Sequence, residues 1–103
     1  MSNVVQISAG DFDAKIQNST KRVLVDCYAD WCGPCKMLSP VIDQLAEETE
    51  DCDFFKLNVD EAEEIARKYE IMSIPTLLLF ERGALKKTSV GFKSKSELQE
   101  WLQ

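Results

Sequence analysis

Four cysteines are the side chains best equipped for chemistry in this sequence, and two of them stand three apart in the segment Cys32-Gly33-Pro34-Cys35. A pair at that spacing can close a small disulfide ring, exchange disulfides through a thiolate, or supply half of a four-ligand metal site. The chain has no histidine, which removes Cys-His and Ser-His nucleophilic pairs, imidazole metal sites and haem attachment through C-x-x-C-H. A zinc or iron–sulfur centre wants four convergent ligands, and a single C-x-x-C is present. Cys27 and Cys52 read as buried, unpaired thiols, because free cysteine is among the most buried residue types.

The elements that must position the pair can be read from hydrophobic periodicity. Val4, Val5 and Ile7 predict a short opening strand, and Ser8 with Asp11 marks a helix start whose inner face holds Phe12 and Ile16. Val23 to Ala29 is a nearly continuous apolar run, interrupted by Asp26, as expected of a strand covered on both faces. A turn containing Gly33 and Pro34 leads into Leu38, Val41, Ile42 and Leu45 at helical spacing, with Pro40 inside and expected to kink the helix. Phe55, Leu57 and Val59 alternate as a third strand, and Ala62, Ile65, Ala66 and Tyr69 outline a third helix.

Thr76 to Phe80 is a further strand, joined through Arg82-Gly83-Ala84 to a last strand that ends near Val90 and is closed by Gly91. Ser94 and Glu97 form a capping-box pattern ahead of Leu98, Trp101 and Leu102. The order β-α-β-α-β-α-β-β-α predicts parallel strands early and an antiparallel edge late. Cys32 and Cys35 then fall between the end of a strand and the start of a helix, where partial positive charge favours a thiolate. Cys32 precedes the turn and reads as an exposed nucleophile, whereas Cys35 lies in the helix and reads as a shielded resolving thiol.

Trp31-Cys32-Gly33-Pro34-Cys35-Lys36 resembles the active-site segment of the thioredoxin family. Val25-Asp26, Pro40, Lys56-Leu57-Asn58-Val59-Asp60, Ile74-Pro75-Thr76, Gly83 and Gly91 follow the family's order, so the resemblance covers essentially the whole chain. It implies the α/β thioredoxin fold, with a five-stranded mixed sheet in the order 1-3-2-4-5 flanked by four helices, and a single domain over residues 1–103. It also implies reduction of disulfide-containing protein substrates, recharging by thioredoxin reductase, a redox-active Cys32-Cys35 disulfide with no bound cofactor, and a monomer.

The same resemblance assigns roles to neighbours of the pair. Asp26 would be the proton acceptor for Cys35, where the bland alternative is a partly solvated strand-end acid. Lys56 would modulate Asp26, or simply lay its stem along the sheet. Parallel pairing of strands starting near Arg22 and Cys52 brings Lys56 level with Asp26, and puts Cys27 opposite Leu57, about 16 Å from Cys52 and beyond disulfide reach. Gly33 and Pro34 would tune the redox potential. Pro75 would be cis beside the cysteines, and Trp31, Met72, Ile74, Pro75 and Gly91 would form the substrate-docking surface. Tyr28 stands where the family often has Trp, and Met72-Ser73 where it often has Arg-Gly.

Lowering a thiol pKa from about 8.5 to about 7 raises the thiolate fraction roughly 15-fold at pH 7. The accompanying loss of nucleophilicity is roughly fivefold, so the net gain is about threefold and positioning must supply the rest. A formal charge of −6 argues against partnership with nucleic acid or an anionic membrane. The opening residues show no leader pattern, from which a cytoplasmic location is expected. A net oxidant on the same fold and a scaffold that does not need its cysteines are the alternative functions.

Overall fold

The apolar run around Val25 becomes the central strand of the sheet, because both of its faces are covered. The structure is a computed structural model and describes residues 3–103. In chain order the elements are β1 (Val4–Ile7), α1 (Ala9–Gln17), β2 (Arg22–Tyr28), α2 (Gly33–Glu48), β3 (Cys52–Asn58), a 3₁₀ turn (Val59–Glu61), α3 (Glu63–Lys68), β4 (Thr76–Glu81), β5 (Ala84–Val90) and α4 (Lys95–Trp101). The sheet order is β1-β3-β2-β4-β5. β1 and β2 pair with β3 in parallel, whereas β2–β4 and β4–β5 are antiparallel.

Alternation along the strands gives each face its own core. On one side Leu24, Phe54, Leu77 and Leu79 pack against Leu38, Ile42 and Leu45 of α2 and Leu98 of α4. On the other, Val23, Val25, Leu57 and Leu78 pack against Phe12 and Ile16 of α1 and Ile65 of α3. Phe12, Tyr69 and Phe80 add a cluster of tilted and edge-on rings, with centroids 5.5 to 5.9 Å apart. α2 runs through Pro40 as one element.

Four local details differ from the sequence reading. Val59 belongs to the 3₁₀ turn and not to β3, because the Asn58 side chain accepts the Asp60 N–H at 3.0 Å and turns the chain. Ala84 already pairs with Glu81, so the hairpin loop is Arg82-Gly83 alone, with φ of 53° and 80°. Gly33 and Pro34 are the first residues of α2, not a turn ahead of it. Ser8 donates to the Asp11 carboxylate at 3.1 Å and makes no side-chain cap to the backbone of α1. The capping box of α4 forms as expected, with Ser94 Oγ accepting from Glu97 N–H and Glu97 accepting from Ser94 N–H.

Candidate active site

β2 ends and α2 begins at the same edge of the sheet, and the short connection between them carries the cysteine pair. Cys32 is the N-cap of α2, with extended backbone, and its sulfur accepts the Cys35 backbone N–H at 3.2 Å. That N–H is one of the donors a helix leaves unpaired in its first turn, so the sulfur faces the positive end of sixteen aligned peptide dipoles. Pro34 in the first helical turn has no N–H to waste there. Cys32 and Cys35 are joined by a disulfide, with Cα atoms 5.3 Å apart.

Cys32 is not the exposed side chain that its place before the helix predicts: both cysteines are 4% exposed. Ala29 packs with the two sulfurs, flanked by Tyr28, Val59 and Ile74, and the Ile74 carbonyl oxygen lies 3.8 Å from Cys32 Sγ. The Ile74-Pro75 bond is cis. The Pro75 carbonyl accepts Gly91 N–H at 2.8 Å, and Gly91 has a φ of 88° that favours glycine. Thr76 Oγ1 donates to the Ser73 carbonyl at 2.6 Å, fixing the other side of the same loop. These contacts place the Pro75 loop beside the disulfide.

Trp31 and Met72 stand out from the surface, at 71% and 92% exposure. With Val59, Ala66, Ile71 and Ile74 they line a groove of about 620 Å³ whose rim carries Glu63 and Arg67. Trp31 is tied down despite its exposure, since its indole Nε1–H donates to Asp60 Oδ2 at 2.8 Å. Asp60 therefore anchors one wall of the groove, a contact that periodicity does not reveal. The usable signal for the turn that carries Asp60 is Asn58, whose side-chain oxygen accepts the backbone N–H two residues on.

Asp26 is buried on the α2 side of the sheet and sits level with Lys56 in the β2–β3 register, as parallel pairing of strands starting near Arg22 and Cys52 implies. With Cys35, Lys36, Ser39 and Lys56 it lines a cavity of about 380 Å³. Asp26 Oδ1 has no hydrogen-bond partner among the described residues. Burial pushes its carboxyl up from 3.8 to about 7, opposed by the Lys56 ammonium and helped by Asp43 of α2. Cys27 and Cys52 are free and buried, and they lie in the cores of opposite sheet faces.

A family model described as Thioredoxin matches residues 3–103. The chain belongs to the thioredoxin family. It is 47% identical over 100 residues to a thioredoxin of Staphylococcus epidermidis, covering 96% of this chain and 94% of the relative. A thioredoxin of Staphylococcus aureus is 46% identical with the same coverage, and one of Mycoplasmoides gallisepticum is 44% identical over 89 residues, covering 86% and 89%. As a thioredoxin-family protein it is a thiol-disulfide oxidoreductase that works by dithiol/disulfide exchange, and the family is recycled by thioredoxin reductase. Its redox group is the disulfide carried by the chain itself. Among the described residues no group of three or more His, Cys, Asp or Glu is placed to hold a metal ion, and no helix is long and apolar enough to cross a membrane.

Proposed function

We propose that this protein reduces disulfides of other proteins, with Cys32 as the attacking thiolate and Cys35 as the resolving one. The observation that carries this reading is the seat of Cys32 Sγ on the N-terminus of α2, bonded to Cys35 and accepting its N–H. In the reduced protein that N–H and the helix dipole favour the Cys32 thiolate. The thiolate attacks one substrate sulfur, the substrate S–S bond breaks, and the departing thiolate takes a proton from solvent. Cys35 then loses its proton to the Asp26 carboxylate and attacks Cys32, releasing the second substrate thiolate and leaving the intramolecular disulfide. An acid poised near 7 suits this task, because it is available as a base at neutral pH and returns the proton readily.

Lys56 favours the ionised form of Asp26 from the neighbouring strand. Gly33 and Pro34 shape the first turn of α2 and so tune the redox potential. The substrate lies extended along Ile74 and cis-Pro75, with Trp31 and Met72 as apolar walls and Gly91, just past β5, holding the Pro75 loop. Thioredoxin reductase is the electron donor. Two buried thiols left free elsewhere in the fold suit a reducing compartment, and we assign the cytoplasm.

The chain acts as a single domain over residues 1–103 and as a monomer; Lys86 and Lys87 on the exposed edge strand β5 discourage pairing between copies. An acidic surface gives no purchase on nucleic acid or anionic lipid. Equilibrium redox titration tests the direction of the reaction. A potential near about −270 mV is expected for a reductant, and one near about −120 mV would make the protein an oxidant.

A further inference from the structure

Tyr28 and Gln6 make a hydrogen bond that the redox chemistry above does not use. Gln6 Nε2 donates to the Tyr28 hydroxyl at 2.6 Å, although the two residues sit on strands that are not neighbours. Gln6 is level with Lys56 in the β1–β3 register, and Lys56 is level with Asp26 in the β3–β2 register. The three side chains therefore share one row and one face, toward α2, and Tyr28 is on the same face two residues beyond Asp26. With strands about 4.8 Å apart, β1 and β2 are separated by about 10 Å. The Tyr28 ring must cross β3 beside Lys56 to meet the Gln6 amide. Tyr28 also lines the cavity that holds Asp26, Cys35 and Lys56.

We propose that Tyr28, held in place by Gln6, walls the β1 side of the cavity shared by Asp26 and Cys35, and that the two are positioning residues that limit water at that carboxyl. Its bearing on the exchange, though not its effect on the carboxyl, rests on the reading of Asp26 as the proton acceptor for Cys35. Among the described residues the charged and titratable groups around Asp26 are Lys56 from β3, Cys35, Lys36 and Asp43 from α2, Cys27 and Tyr28 of β2 itself, and Asp30 just past its end. Leu77 faces it from β4 and carries no charge. Opening that wall changes none of those neighbours except Tyr28 itself, so its effect is to admit water. Water stabilises the carboxylate, which moves the titration of Asp26 down toward its ordinary value.

The test is the titration of the Asp26 carboxyl carbon by NMR in the oxidised full chain, compared with Tyr28→Phe, Gln6→Ala and the double variant. Each single change is expected to lower the midpoint by about half a pH unit or more, with no further shift in the double variant because both remove the same bond. Gln6 is exposed, so Gln6→Ala reads the wall even if Tyr28→Phe perturbs packing. An unchanged midpoint in Gln6→Ala, or shifts that add in the double variant, would overturn the proposal. The catalytic reading of Asp26 is tested separately by the pH profile of Cys35 resolution. If Asp26→Ala leaves that profile unchanged while the NMR midpoint moves as expected, the proton-acceptor role fails and the wall stands.

Discussion

The redox pair Cys32/Cys35 and the silent pair Cys27/Cys52 differ little in burial and greatly in what surrounds the sulfur. All four are at most 5% exposed. Cys32 receives a backbone N–H at the positive end of a helix. Cys27 sits in mid-strand among apolar side chains, where burial and then the Asp26 charge drive its thiol far above the usual range. Burial pushes Cys52 up to about 11, against the pull of Arg22. With residue exposure nearly equal, the oriented backbone dipoles at the start of α2 are what set the redox pair apart from the two core thiols.

The largest expected effect that sharpens this contrast is on turnover. Cys32→Ser should lower protein-disulfide reduction by about a thousandfold or more, as loss of a covalent nucleophile does, whereas Cys27→Ser and Cys52→Ser should stay within about twofold. A comparable loss in either of the latter, with the fold intact, would break the comparison. Asp26→Ala should slow resolution of the mixed disulfide by roughly tenfold to a hundredfold, and slow the initial attack less. Stopped-flow traces that separate the two steps provide the check, and equal slowing of both would deny Asp26 its role.

The same substitution has a consequence for stability. Asp26 titrates at about 7 in the folded chain against 3.8 as its ordinary value. Between those values the folded state holds a proton that the unfolded state has lost, so stability falls as pH rises from about 4 to about 7. The fall amounts to roughly 4 kcal/mol at most, and Asp26→Ala should remove it, leaving the variant relatively more stable at pH 8 than at pH 4. Urea melts across that range measure it. In the reduced native protein Cys32 should alkylate readily at pH 7, while Cys27 and Cys52 should react on the timescale of unfolding. The smallest effect belongs far from both pairs: Ser94→Ala should cost about 1 kcal/mol through loss of the α4 cap, with the redox potential unchanged.

The placement of the cysteine pair was legible from local pattern, and the roles of its neighbours from the resemblance to the family. Given parallel pairing of strands starting near Arg22 and Cys52, which the structure shows, Asp26 aligns with Lys56 and Cys27 is held away from Cys52. Chain order placed Cys32 and Cys35 at the strand–helix junction. What periodicity missed depends on side chains that meet across long stretches of sequence. Trp31 and Asp60 are 29 residues apart, and Gln6 and Tyr28 are 22 apart. Val59 reads as a strand residue because it is apolar and in phase, and the turn at Asn58 overrides it through a side-chain bond that no alternation records. The burial of Cys32 escaped for a similar reason, since the Pro75 loop that covers it arrives from 42 residues away.

Trapping with Cys35→Ser is the most direct test of the assigned order of attack. The reduced variant would be mixed with a protein disulfide and the adduct mapped by mass spectrometry after digestion. A stable mixed disulfide through Cys32 is expected, persisting until an external thiol is added. An adduct through Cys27 or Cys52, or no adduct while the variant still turns over, would contradict Cys32 as the nucleophile and Cys35 as the thiol that resolves it.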